Sequence, residues 1–185
     1  MLRFKELIES LNKANDGTRT LFQSIAIPEV NKALGDYSKH VPSGVLIGGI
    51  AASYHNRPRA TTDADILYMH KDNIPDEVPG FKHHRPGAFQ HNDTHVEVEA
   101  VTPEHINISQ ELAQKVFDTA ELSDRTNGIR VASPSGVVAL KLHRQRGHDI
   151  GDIVHMHHTG KVDLSDWPIQ QKHRDDYEEI IKKYS

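Results

Sequence analysis

The chain of 185 residues contains no cysteine, so disulfide frameworks, thiolate nucleophiles and cysteine-based zinc sites are excluded. No apolar run approaches the length of a transmembrane helix. The first residues, MLRFKELIESLNKAND, are amphipathic but charged throughout, unlike the apolar core of a signal peptide. Large charge of one sign is also lacking. The formal net charge is −4, which argues against a protein held to nucleic acid by bulk charge and leaves room for a local basic patch. Internal repeats and low-complexity tracts are missing. What remains is ordinary globular composition, with 36% hydrophobic and 26% charged residues, and the expectation of a soluble cytoplasmic protein.

What is present centres on VLIGGIAASYHNRPRATTDADILY, residues 45–68. An apolar run, Val45-Leu46-Ile47, ends at Gly48-Gly49 and leads into a helix-compatible segment at about 49–55. A polar connection with Arg57 and Arg59 follows. The next strand, about 63–69, alternates carboxylates with apolar residues in Asp63-Ala64-Asp65-Ile66-Leu67. Strand side chains alternate, so Asp63 and Asp65 share a face, with Cβ atoms about 6–7 Å apart from two strand rises. Two anions on one face repel unless a cation lies between them, and a hard divalent ion suits such oxygen ligands. The glycine pair lets backbone approach a ligand closely, and the helix start behind it offers N–H groups to a phosphate.

Around this centre the pattern is helical, then mixed β, then helical, which predicts an α+β fold. Helices are expected at 2–14 and about 18–37, with Pro28 kinking the second or opening a new one. The segment 70–80 reads as a loop or a short helix. Residues 81–89 and 95–101 read as an antiparallel pair joined by His91-Asn92-Asp93-Thr94. In the second of these strands Glu97 and Glu99 share one face and the valines the other. A helix is expected at 110–117, then a turn at Asn127-Gly128 and a strand at 129–132. Ser133 caps a helix that has Pro134 in its first position. Further helices are expected at 149–158, ended by Gly160, and from Trp167 or Pro168 to Lys183, capped by Ser165. A division into an N-terminal helical segment 1–40, a core 41–132 and a C-terminal helical region 133–185 is expected, the three forming one compact unit.

Carboxylates converging from two strands beside a glycine turn suit a pair of Mg²⁺ ions that activate a hydroxyl and stabilise a leaving pyrophosphate. Ile47-Gly48-Gly49, thirteen intervening residues and Asp63-Ala64-Asp65 resemble the signature of the nucleotidyltransferase superfamily that shares its fold with DNA polymerase beta. GGIAASYHNRPRATTDADIL is similar to the branch that includes bacterial abortive-infection and toxin–antitoxin nucleotidyltransferases. That branch approaches its aspartates through Arg-x-Thr-x-Asp-x-Asp, matched here by Arg59, Thr61, Asp63 and Asp65. The helix at 133–142, the basic Arg144 and Arg146, and Asp149-Ile150-Gly151-Asp152 resemble the same branch downstream, so the likeness spans about 40–155.

The resemblance implies a nucleotidyltransferase-type mixed sheet flanked by helices, with helical N- and C-terminal additions. It implies transfer of a nucleoside monophosphate from an NTP such as ATP to an acceptor hydroxyl of tRNA, protein or a small molecule, with Mg²⁺ as cofactor and a defence or toxin setting. Asp63 and Asp65 would bind metal. The third carboxylate would come from the strand at 95–101, where Val98-Glu99-Ala100-Val101-Thr102 fits the family pattern, with Glu97 as the alternative. Glutamate in place of the commoner aspartate is a departure. Gly48, Gly49, Arg59 and Lys141 would bind the nucleotide. A cognate antitoxin or a second copy would be the protein partner, and no membrane is involved. The other outcome consistent with the same residues is a weak or inactive relative that binds NTP and regulates.

Bland readings compete. Asp149 and Asp152, one helical turn apart, read as ionic partners of nearby arginines, and Lys141 could snorkel over apolar surface. The histidines, among them His83, His84, His91, His95, His155, His157 and His158, match no zinc spacing and read as surface. Tyr54, Tyr68 and Phe89 read as core or rim, with one of them available to stack on a base.

Overall fold

The computed structural model describes residues 28–41, 43–55, 63–122, 128–144 and 149–184. The expected helix at 2–14, Arg57, Arg59 and Arg146 lie outside the described residues. Within them the fold is α+β, a seven-stranded mixed sheet flanked by helices.

The first described helix, α1, covers residues 28–38. Its buried residues Val30, Ala33, Leu34 and Tyr37 fall at the spacing of one helical face. Strand β1 (Val45–Ile47) runs directly into α2 (Gly48–His55), and β2 is Asp63–Leu67. The segment 70–80 contains one 3-10 turn, Lys71–Asn73. Strands β3 (Phe81–Arg85), β4 (Ala88–His91) and β5 (Glu97–Val101) follow. Helix α3 (Gln110–Thr119) is capped by Ser109, whose hydroxyl accepts from Leu112 N–H at 3.1 Å. Short strands β6 (Glu121–Leu122) and β7 (Arg130–Val131) precede α4 (Pro134–Arg144), α5 (Asp149–His158) and α6 (Gln171–Tyr184). The sheet order is β3-β4-β5-β2-β1-β7-β6.

Two expectations need correction, and one element is new. The strand read over 81–89 is two strands. Pro86-Gly87 turns the chain between them, with Gly87 at φ +77°, and it is β4 that pairs with β5. A Cβ on Gly87 would stand 2.6 Å from the Ala100 carbonyl oxygen, so the tight turn needs glycine on two counts. The two-residue β6 was not anticipated, being too short to carry a period. The last helix begins at Gln171 rather than at Trp167 or Pro168. Arg174 explains the delay: its guanidinium reaches the carbonyls of Leu164, Ser165 and Trp167, holding 164–167 as a turn while Trp167 is buried.

Other expectations hold. Ser133 Oγ accepts from Gly136 N–H at 3.2 Å with Pro134 opening α4. Gly160, at φ +68°, follows α5, and its N–H bonds the His157 carbonyl. One cluster of buried apolar residues extends from Val30 to Trp167. Tyr37 packs against Phe81 and Phe89, seating α1 on the β3–β4 hairpin. Among the described residues no helix is long and apolar enough to cross a membrane.

Candidate functional site

Register builds the site. In parallel pairing of β2 with β5, Asp63 sits opposite Glu97 and Asp65 opposite Glu99. Directly paired residues share a face, so all four carboxylates stand on one side of the sheet, with the two strands about 4.8 Å apart. Ala64, Ile66, Val98 and Ala100 point to the other side and are buried. The apolar alternates drive each strand into the core and leave the acids at a partly open surface. Asp65 is also opposite Ile47 on β1, next to where β1 turns into α2.

That turn requires glycine. Gly48 has φ +68°, and a Cβ there would lie 2.0 Å from Asp65 Oδ2. The Asp65 carboxylate therefore rests against the turn, and the start of α2 borders the acidic row. Gly49 is buried behind it within α2. His55 at the far end of α2 bonds the Ala132 carbonyl through Nε2 at 2.6 Å, which fixes the helix against the end of β7.

Asp65 is pushed up to about 6, first by burial and then by the charges of Asp63 and Glu99, with Arg144 and Lys141 opposing. Like charges gathered on one face raise a carboxyl in this way. Glu99, set opposite Asp65, figures in that environment together with Asp63. Glu97 lies one pair further along, opposite Asp63. The donors are all carboxylate oxygens, the set a hard divalent ion prefers. Among the described residues no three such groups are drawn together as ready ligands, and Glu99 is engaged elsewhere: Arg85 Nη1 donates to Glu99 Oε1 at 2.9 Å and Nη2 to Glu97 Oε1 at 3.1 Å.

A cavity of about 160 Å³ opens over this row, lined among others by Ile47, Asp65, Glu99, Arg85, His105 and Arg144. Arg85 and His105 were not among the expected site residues. The Pro86-Gly87 dipeptide, a strong turn signal, would have ended β3 at Arg85 and drawn notice to it. Arg144 comes from the last turn of α4 and is exposed.

Lys141 is placed differently from a phosphate ligand on an open surface. Its ammonium lies 2.8 Å from Asp149 Oδ1 and 2.6 Å from Asp152 Oδ2, with all three side chains nearly sealed from solvent, at 7%, 6% and 11% exposure. The carboxylates of α5 thus pair with a lysine of α4. The histidines also need revision at one position. His91 is buried, its Nδ1 accepting from Thr94 N–H at 3.1 Å and its Nε2 3.2 Å from Asp36 Oδ2. It ties the β4–β5 connection to α1. Tyr68 and Phe89 are buried in the core, and Tyr54, half-buried, donates to Asn31 Oδ1.

No protein-family model matches the chain, and no curated protein matches it. The functional reading therefore stands on the residues and their geometry.

Proposed function

We propose that the chain is a metal-dependent nucleotidyltransferase, built on a fold of the DNA polymerase beta type, that moves a nucleoside monophosphate from an NTP to an acceptor hydroxyl. The observation that carries the reading is the pairing of Asp65 with Glu99 on adjacent parallel strands, with the Gly48 turn against the Asp65 carboxylate. Asp63 and Asp65 are the metal ligands in this reading, and Glu99 completes the set, with Glu97 one pair behind it. Bound Mg²⁺ would supply charge stabilisation for the leaving pyrophosphate and acidify the acceptor hydroxyl.

The chain's own groups do the rest. In this reading Glu99 takes up the acceptor proton. The N–H groups at Gly48 and Gly49 offer the β- and γ-phosphates the positive end of α2. Arg144, on the same cavity, adds a guanidinium for phosphate oxygens. Arg59, outside the described residues, belongs to the same nucleotide-binding role in this reading. Lys141 contributes positive charge to the surroundings of Asp65 while it holds α5. The acceptor is a hydroxyl of tRNA, protein or a small molecule, and a defence-type enzyme restrained by a cognate antitoxin fits the sequence likeness.

The test is incubation with each α-labelled NTP, Mg²⁺ and cell extract. Wild-type protein should label one class of molecule, and Asp63→Ala with Asp65→Ala should abolish labelling while circular dichroism stays unchanged. Retained labelling in the double variant refutes the assignment. A second reading, an NTP-binding regulatory relative without turnover, draws on Arg85 being paired with both Glu97 and Glu99. Mg²⁺-dependent pyrophosphate release separates the two.

A further inference from the structure

We propose that Arg85 is a resident counter-ion of the carboxylate row, displaced by a divalent cation, and that the freed guanidinium then binds phosphate in the same cavity. The inference rests on the reading of Asp63, Asp65 and Glu99 as a metal site.

The backbone places Arg85 there by three devices. The first is a register shift in the β3–β4 ladder. His83 pairs with Phe89, yet Arg85 pairs with Ala88, so one residue is extra between them. Unbroken alternation from His83 would put Arg85 on the Phe89 face, away from the carboxylates. The bulge returns it to the opposite face, a known way to re-aim a side chain beside an active site. The second device is Ala88. Pairing runs Arg85, Ala88, Glu99, Asp65, Ile47 across five strands, and only a methyl group separates the arginine from Glu99. The third is the anchoring of the turn, since Ala100 N–H donates to the Gly87 carbonyl at 2.7 Å. Arg85 therefore hangs from a fixed hairpin over the acidic row.

The charges explain the exchange. Four carboxylates stand in two adjacent pairs, and Arg85 offsets one negative charge by bridging Glu97 and Glu99. A divalent ion offsets two and sits closer to the oxygens. Once it takes Glu99, the guanidinium faces a like charge and loses one of its two partners. Its side chain is 56% exposed, so the pair is weakly held and moving it disturbs no core. The anions then in reach are those that accompany the metal. A guanidinium fork matches phosphate oxygens in bidentate geometry, and Arg85 shares the cavity with Arg144. The exchange makes metal binding and phosphate binding mutually dependent.

The experiment titrates Mn²⁺ into wild type, Arg85→Ala, Arg85→Lys and the Asp63→Ala/Asp65→Ala double variant, followed by electron spin resonance. It then titrates inorganic tripolyphosphate at saturating Mn²⁺, followed by calorimetry. Arg85→Ala should bind Mn²⁺ roughly fivefold tighter, the scale of one released exposed ion pair, and tripolyphosphate roughly tenfold weaker, the scale of one lost charge-assisted contact. Arg85→Lys, which keeps the charge without the fork, should stay near wild type for Mn²⁺ and still lose tripolyphosphate affinity. A merely structural arginine would not move the two affinities in opposite directions. Mn²⁺ affinity in Arg85→Ala that equals or falls below wild type overturns the proposal, as does unchanged tripolyphosphate affinity. Wild type that binds Mn²⁺ no better than the double aspartate variant refutes the metal reading itself, a different failure visible in the same titration.

Discussion

Replacing Lys141 by methionine separates a structural role from a nucleotide-binding one. Methionine preserves most of the apolar stem and removes only the ammonium. Asp149 and Asp152 are then left buried without the cation that lies 2.8 and 2.6 Å from them. Removing one partner of a buried ion pair costs about 3–5 kcal/mol, because the remaining charge keeps its desolvation penalty. Because Lys141 serves two buried carboxylates at once, the upper part of that range applies. For a chain of this size each kcal/mol moves the melting midpoint by roughly 2–4 °C, so a fall of roughly 10–20 °C is expected. Urea denaturation should show a lower midpoint at an unchanged slope. Adding Asp149→Asn and Asp152→Asn to Lys141→Met should recover most of the loss, since an uncharged buried set no longer carries the penalty. The reasoning is refuted if Lys141→Met melts within about 1 kcal/mol of wild type while tripolyphosphate binding collapses. That result would return Lys141 to the phosphate site.

Three further outcomes are expected. Gly48→Ala should cost about 1–2 kcal/mol from the left-handed backbone alone, and should weaken Mn²⁺ binding as well, because its Cβ would displace the Asp65 carboxylate; wild-type Mn²⁺ affinity in this variant would contradict the placement of Asp65. Asp65 holds its proton up to about 6 when folded, against an ordinary 3.8. A raised carboxyl favours the folded state most below 3.8 and loses that contribution as pH rises to about 6. Metal-free Asp65→Asn should therefore gain stability over wild type above pH 6, and wild-type Mn²⁺ affinity should fall as pH drops below 6; parallel pH profiles for the two proteins in urea melts would count against the shift. Ser133→Ala, which removes the cap on Gly136 N–H, should cost about 1 kcal/mol by thermal melting, and no change would mean that the α4 start is held otherwise.

Much of the site was legible because its signals are local. The alternation in Asp63-Ala64-Asp65 and in Glu97-Val98-Glu99 needs only a strand to put each pair on one face. A Ser-Pro opening needs only the first turn of a helix. Other features depend on partners far along the chain. Pro86-Gly87 marks locally the end of the first strand within 81–89, but that this turn closes against Ala100 and that β4 is the strand pairing with β5 depended on distant residues. Lys141 read as a cation that snorkels over apolar surface or reaches a nucleotide, since nothing near it in sequence announces that Asp149 and Asp152 will be packed against it.

The sequence by itself determined the paired acids, the need for glycine before α2, and the α+β order of elements, because these follow from backbone period and residue shape. Only the tertiary structure decided that β2 and β5 run parallel with Asp65 beside Glu99, that a one-residue bulge turns Arg85 onto the same face, and that Lys141 is held in a buried ion pair. Register, bulge and burial are set by contacts between residues tens of positions apart. Their energies are decided by how whole strands and helices pack, not by the side chains of any one segment.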